Sequence, residues 1–297
     1  MKNIKFVCLA SLLAACGTNG SDNKSNDVAL ENQNLSAPEL TETEVEDEVQ
    51  PREEVANLST AAVSIRFQPR FEGIDLSCAN LSDSPAQAFR NIRFFVSNLD
   101  FQTGSGAKKA RLQRVSGATN MQFEDGAANS LALVKLLDGN CEDGEKLSSN
   151  SAIELSEVVG NVLSLSFNLG LPYAPMANEL SRIPAPMAPS DMGWMWAHYP
   201  ANFQMDVFDE TTGSTKTYNQ LISDTPNLVK LDGVEVNDTS VTVYLDLDRL
   251  YTGQIGDFTS SLSGACFNQV NTPSIGACLE VASSLGFVGD QNVFRTK

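Results

Sequence analysis

Apolar and polar residues alternate one-for-one over many short segments of this chain. The pattern is clearest at Val63-Ser64-Ile65-Arg66-Phe67, Ile92 to Val96, Val162 to Phe167, Phe203 to Phe208 and Val241 to Leu247. Successive side chains of a β-strand point to opposite faces, so this period predicts half-buried antiparallel strands. Leu231-Asp232-Gly233-Val234 carries a two-residue hairpin signal, because Asp-Gly accepts the positive φ angles of a type I′ turn. Asp209 to Ser214 predicts a longer polar turn. Long helical periodicity is missing, and so is a strand–helix–strand rhythm. The expected fold is all-β: an antiparallel β-sandwich or Greek-key-like barrel over residues 59–297, with one long irregular loop.

The pattern begins only near residue 60, and what precedes it reads as an address and a spacer. Met1 to Lys5 is short and positive, Phe6 to Leu13 is apolar but too short to span a bilayer, and Leu13-Ala14-Ala15-Cys16 ends the run. This is the layout of a secretory signal. Its ending resembles a bacterial lipoprotein box, which implies removal of residues 1–15 and acylation of the Cys16 thiol. An ordinary signal peptide with an incidental Cys is the alternative. Gly17 follows Cys16, so no Asp marks the protein for inner-membrane retention. The expectation is a cell-envelope protein, periplasmic or at the outer membrane, held to the membrane by its lipid anchor. Residues 16–58 are rich in Asn, Ser and Glu, and residues 17–58 hold eleven acidic against two basic side chains. Such a segment predicts a disordered, self-repelling tether. An acidic arm for a basic partner is the other reading.

Charge and cysteine content narrow the chemistry. The net charge of −17 leaves no basic footprint for a phosphate backbone, so nucleic acid is not an expected partner. A single His excludes sites built from two or three imidazoles. With Cys8 in the signal and Cys16 acylated, four cysteines remain: Cys78, Cys141, Cys266 and Cys278. An even number in an exported chain predicts two disulfides, with three connectivities possible. Cys266–Cys278, closing a short Gly/Asn/Pro-containing loop, is favoured, which leaves Cys78–Cys141. A four-thiolate metal site is the alternative, and no Cys-x-x-Cys pair supports it.

Residues 171–205 differ from the rest. They hold six of the twelve prolines, five of the seven methionines, both tryptophans (Trp194, Trp196) and the only histidine, His198. So many prolines predict a stretch without regular structure, and a connection this long in a compact domain is usually functional. Thioether and imidazole donors together suit copper, Cu(I) above all. The candidate donors are Met192, Met195 and His198, beside Trp194 and Trp196. The other reading is that Met and Trp plug the open end of the sandwich.

The chain also resembles the MbnP-like family, the four-Cys half of a metallo-mystery pair, over most of residues 61–285. The matching pieces run in order. They are Asn91-Ile92-Arg93-Phe94-Phe95-Val96-Ser97, Leu133 to Asp138 before Cys141, and Phe167-Asn168-Leu169-Gly170-Leu171-Pro172. Asn178, Ala185-Pro186, Met192-Gly193-Trp194-Met195-Trp196, Cys266 and Cys278 complete them. The resemblance implies a secreted, β-rich, non-enzymatic copper-binding protein. It also implies a partner, a di-haem enzyme related to cytochrome c peroxidases, that oxidises a tryptophan to kynurenine for use in copper binding with histidine. Two departures stand out. The family's Asn-His pair is Asn178-Glu179 here, and Tyr199-Pro200-Ala201-Asn202 replaces its Gly-Tyr-Lys-Phe. A surface β-sandwich module that has lost the metal is therefore the alternative function.

Other chemistry is thinly represented. No nucleophile elbow, phosphate loop or dinucleotide fingerprint is present. Asp138 to Gly144 resembles an oxygen-rich calcium loop but misses the required spacing, and reads as a Cys-bearing turn. Asp206, Asp209, Asp246 and Asp248 are carboxylates that a hydrolase could pair.

Overall fold

In the computed structural model, the residues described are 62–113, 121–124, 130–139, 141, 146–171, 187, 193–194, 199–221, 227–253, 265–267 and 276–296. At 193–194, 199–200, 221 and 265–267 the backbone alone is described. The strands in chain order are β1 (Ala62–Phe71), β2 (Ile74–Asp75), β3 (Phe89–Thr103), β4 (Gly106–Lys109), β5 (Gln122–Glu124), β6 (Ser130–Leu136), β7 (Ala152–Val159) and β8 (Val162–Leu169). They continue as β9 (Gly193–Trp194), β10 (Tyr199–Asp209), β11 (Ser214–Leu221), β12 (Asn227–Asp232), β13 (Val236–Asn237), β14 (Ser240–Asp246), β15 (Ala265–Phe267) and β16 (Phe294–Arg295). Two short helices, α1 (Leu247–Leu250) and α2 (Ala277–Ser284), accompany them.

The strands form two sheets. The smaller is ordered β13-β14-β1-β2, with β16 added to β14 and β7 to β1. The larger is ordered β12-β8-β3-β10-β11-β15, with β4 and β6 also on β3, β5 on β6 and β9 on β10. Pairing is mostly antiparallel, as the alternation predicts. The exceptions are β1 with β14 and β11 with β15, which run parallel. Alternation reports that one face of a strand is buried; it carries no sign for the direction of the neighbour, so these parallel pairs were not legible.

The core lies between the sheets and is aromatic. Phe67 of β1 and Phe294 of β16 come from the smaller sheet; Phe94, Phe167 and Phe203 come from the larger. Phe94 meets Phe67 edge-on at 5.4 Å and Phe294 at 5.6 Å, and stacks on Phe203 at 5.9 Å. Such pairs contribute about 0.5–1.5 kcal/mol each beyond the area they bury. Tyr218 of β11 is fully buried beside Phe203, and its hydroxyl donates to Gln220 Oε1 at 2.7 Å. Burial pushes that phenol far above its ordinary pKa.

β6 departs from simple alternation: Ser130-Leu131-Ala132-Leu133-Val134-Lys135-Leu136 is buried throughout. Ala132, Val134 and Leu136 face the main core, while Leu131 and Leu133 join a second apolar cluster with Phe95, Leu171, Met187 and Ala201. The larger sheet is therefore covered on both faces here, which is why this strand reads as a continuous apolar run.

Turns hold two further lessons. Asp209 and Ser214 pair at the base of the β10–β11 hairpin, as expected. Asp209 shapes it by accepting from Thr211 N and Thr212 Oγ1, both at 2.9 Å. The Asp232-Gly233 hairpin does not form. Gly233 does take a positive φ of 65°, but β12 pairs with β8 and β13 pairs with β14, so the bend crosses between sheets. The two-residue hairpin lies one step later, at Asp238-Thr239, with φ of 47° and 66° between paired Asn237 and Ser240. Asp-Gly marks a positive-φ bend but does not say what its flanks pair with.

Cys78 and Cys141 are bonded, with Cα atoms 5.2 Å apart. The bond ties the segment after β2 to the β6–β7 connection across 63 residues. Cys278, on α2, is also disulfide-bonded. The expected partner, Cys266, belongs to β15, and its side chain lies outside those described.

Candidate functional site

The Pro/Met/Trp stretch leaves and rejoins the larger sheet at one place. β3 is long enough to take two partners along the same edge. Its Phe94 pairs with Phe203 of β10, and its Val96 pairs with Leu169 of β8. Phe95 sits at the change, and its carbonyl accepts from Gly170 N at 2.8 Å. Ser97 Oγ donates to Gly170 O at 2.7 Å. Leu171 N then donates to Asn202 Oδ1 at 3.0 Å, joining the exit from β8 to the entry into β10. Gly170 has a φ of +117°, and a Cβ there would lie 2.4 to 2.8 Å from the Asn202 side chain. Only glycine serves at that bend.

The described end of the stretch is regular in spite of its prolines. β10 begins at Tyr199, and Trp194 of β9 pairs with Tyr199 while Gly193 pairs with Pro200. Pro200 is tolerated because it is near the start of its strand, where a missing N–H costs the ladder little. Among the candidate donors, Trp194 is placed by its backbone on this hairpin. Met195, Trp196 and His198 belong to the four residues joining its two strands. These three and Met192 lie outside the described residues, as does Glu179.

Two other methionines of the stretch are placed. Met205 is buried in the main core. Met187 is fully buried in the second cluster, beneath which lie Phe95, Leu131 and Leu133 of the larger sheet. Met187 thus packs on the outer face of that sheet rather than plugging the open end between sheets. Neither this cluster nor the Gly170–Asn202 clamp was anticipated. The signal available was Leu169-Gly170-Leu171-Pro172, a Gly and a Pro punctuating the end of an alternating strand.

The carboxylates considered for hydrolysis serve the scaffold. Asp206 accepts from Asn91 Nδ2 at 2.9 Å and Thr217 Oγ1 at 2.6 Å. Asp248 Oδ1 accepts from Glu72 N at 3.0 Å. Asp246, at the end of β14, is buried, with Arg249 and Arg295 each placing Nε 3.4 Å from Oδ2. Desolvation pushes its pKa above the ordinary carboxylate value, with Asp248 adding to the rise and Arg295, Arg70 and Arg249 opposing it. Asp138, from the loop with a likeness to a calcium site, accepts from Ser149 N at 2.8 Å and Ser149 Oγ at 2.5 Å. No group of three or more His, Cys, Asp or Glu side chains is arranged to hold a metal among the described residues. Grooves of about 270 Å³ and 310 Å³ open beside Phe71, Ile74 and Pro85 and beside Cys78 and Leu147. Among the described residues no helix is long and apolar enough to cross a membrane.

No curated protein matches this chain. Among solved structures the chain is similar to MbnP from Methylosinus trichosporium, with 16% sequence identity, a TM-score of 0.48, and coverage of 75% of this chain and 88% of that one. A family model described as MbnP matches residues 60–268. That span takes in β1, the split edge of β3, the Gly170–Asn202 clamp and the β9–β10 hairpin, so the chain belongs to the MbnP family.

Proposed function

We propose that this protein is a lipid-anchored copper-binding protein of the cell envelope, without catalytic activity of its own. The observation that carries the proposal is the concentration of soft donors around one hairpin. Met192 precedes β9, and Met195 and His198 fall between paired Trp194 and Tyr199. The donor set fits copper: thioether and imidazole suit Cu(I), whereas calcium and magnesium want clustered oxygens. Met192, Met195 and His198 would hold the ion, together with Trp194 or Trp196 once oxidised. Indole nitrogen only donates a hydrogen bond, whereas kynurenine presents an aniline and a ketone that can ligate metal. A di-haem enzyme related to cytochrome c peroxidases would supply that oxidation. Bound copper would make the hairpin a store or carrier of the ion, and Cys16 would keep it at the membrane while residues 17–58 hold the domain away from the surface.

Glu179, where the family has His, favours one competing reading, a surface module that kept the scaffold and lost the metal. The deciding experiment is copper content of the protein isolated from its native envelope, with the mass of the peptide spanning Trp194 and Trp196 taken from the same sample. Near-stoichiometric copper with an oxidised tryptophan is expected. Metal-free protein with both tryptophans intact would establish the surface module instead. His198→Ala is expected to abolish copper retention, and unchanged affinity would move the site elsewhere.

A further inference from the structure

We infer that Asn202 is a positioning residue for the β9–β10 hairpin, fixing where the Trp194–Tyr199 pair stands relative to the end of β8. The inference rests on the copper reading for its last arm only. Asn202 is 4% exposed, and its carboxamide reaches outside its own strand to Leu171 N. It is able to do so because the β10–β11 register shifts between Ala201 and Phe203. Asn202 is thereby taken out of the regular ladder. The residue it holds, Leu171, is the last before the excursion, and Asn202 itself stands three positions after Tyr199, the partner of Trp194. Both ends of the excursion are thus joined by one side chain.

The surroundings leave that side chain little room for another conformation. Gly170 is drawn against Phe95 O and Ser97 Oγ, and its missing Cβ is the space the Asn202 carboxamide occupies. Without the carboxamide, Leu171 N would be left as a buried donor, and the link from the end of β8 to the first residues of β10 would be lost. A buried amide that spans two chain segments acts on whatever those segments present, here the hairpin beginning at Gly193.

Trp194 and Trp196 are the only tryptophans in the chain, so indole fluorescence reports on this hairpin without any metal. The test uses the full chain with Asn202→Ala, Gly170→Ala, the double variant and Asn202→Asp, which keeps an oxygen acceptor for Leu171 N. Emission maximum and acrylamide quenching are read beside the urea midpoint and Cu(I) affinity by chelator competition. Asn202→Ala is expected to shift the emission, raise quenching and weaken Cu(I) binding by about 10- to 100-fold, the range seen when support for a ligand shell is removed. Asn202→Asp is expected to restore the wild-type emission. Gly170→Ala should perturb less in the Asn202→Ala background, because the Cβ then has space, and this non-additivity identifies the clamp. Unchanged emission and quenching in Asn202→Ala, with only a lower urea midpoint, would overturn the inference, as would additive effects. If Asn202→Ala fails to fold, Gly170→Ala alone must alter the emission. Wild-type protein that binds no Cu(I) while the variants still shift the emission would sink the copper reading and leave the positioning role standing.

Discussion

The two faces of the larger sheet are built differently. The inner face meets the smaller sheet through Phe94 and Phe167, which pack against Phe67 and Phe294 across the interface, and Phe203 stacks on Phe94 from within the same sheet. Every one of these rings stands on a strand. The outer face carries Phe95, Leu131 and Leu133 from strands, but Leu171 and Met187 lie outside any strand, and Ala201 lies in the disturbed first part of β10. The inner face is redundant, since loss of one ring leaves several others in contact. Among the described residues the outer cluster has six buried members, and two of them, Leu171 and Ala201, flank the hydrogen bond from Leu171 N to Asn202. One sheet thus carries a large aromatic core on one face and a smaller cluster beside the β9–β10 hairpin on the other.

The largest effect should come from the inner face. Phe94→Ala removes three ring contacts and is expected to cost about 3–5 kcal/mol in urea unfolding. Retained stability would show that the outer cluster contributes more than its size suggests. Replacing both Cys78 and Cys141 by Ser should cost about 2–4 kcal/mol through the denatured state. It should leave tryptophan emission unchanged, because the bond lies between the segment after β2 and the β6–β7 connection. Met187→Ala should cost about 2 kcal/mol, the low end for a buried Met, and unlike the disulfide variant should shift tryptophan emission. Equal emission in all three variants would erase the distinction between the faces.

The smallest effect concerns pH. The pKa of Asp246 is raised in the folded protein by burial, so folding favours its protonated form. Its contribution to stability is fully present below the unfolded carboxylate pKa, about 3.9, and is lost as pH rises through the higher folded value. Asp246→Asn should therefore gain stability relative to wild type between pH 3.5 and pH 7, read from urea midpoints across that range. A difference that is flat with pH would mean that Arg249 and Arg295 offset the desolvation completely.

Strand existence was legible wherever one face meets the core and the other meets solvent. β1 shows this, with Ile65 and Phe67 buried on either side of exposed Arg66. β6 was less legible because both of its faces are covered, which removes the period. The candidate donors were legible as a composition anomaly: one His, two Trp and most of the Met within 35 residues. Their supporting clamp was not. Asn202 lies 31 residues from Leu171, and nothing local to either residue indicates the hydrogen bond between them. Met187 looked like any other Met of the stretch, and only packing singled it out.

By itself the sequence determined the all-β class, the family and the concentration of soft donors, because these depend on residue type and on the two-residue period of a strand. Tertiary structure alone decided the parallel β1–β14 pair, the use of Asp232-Gly233 as a crossing between sheets, and the closure of the excursion by Gly170 and Asn202. Each of these is a meeting of segments far apart in the chain. Such meetings are selected by the burial and hydrogen bonding of the whole fold, and local pattern, which marks a bend, does not say which segments meet there.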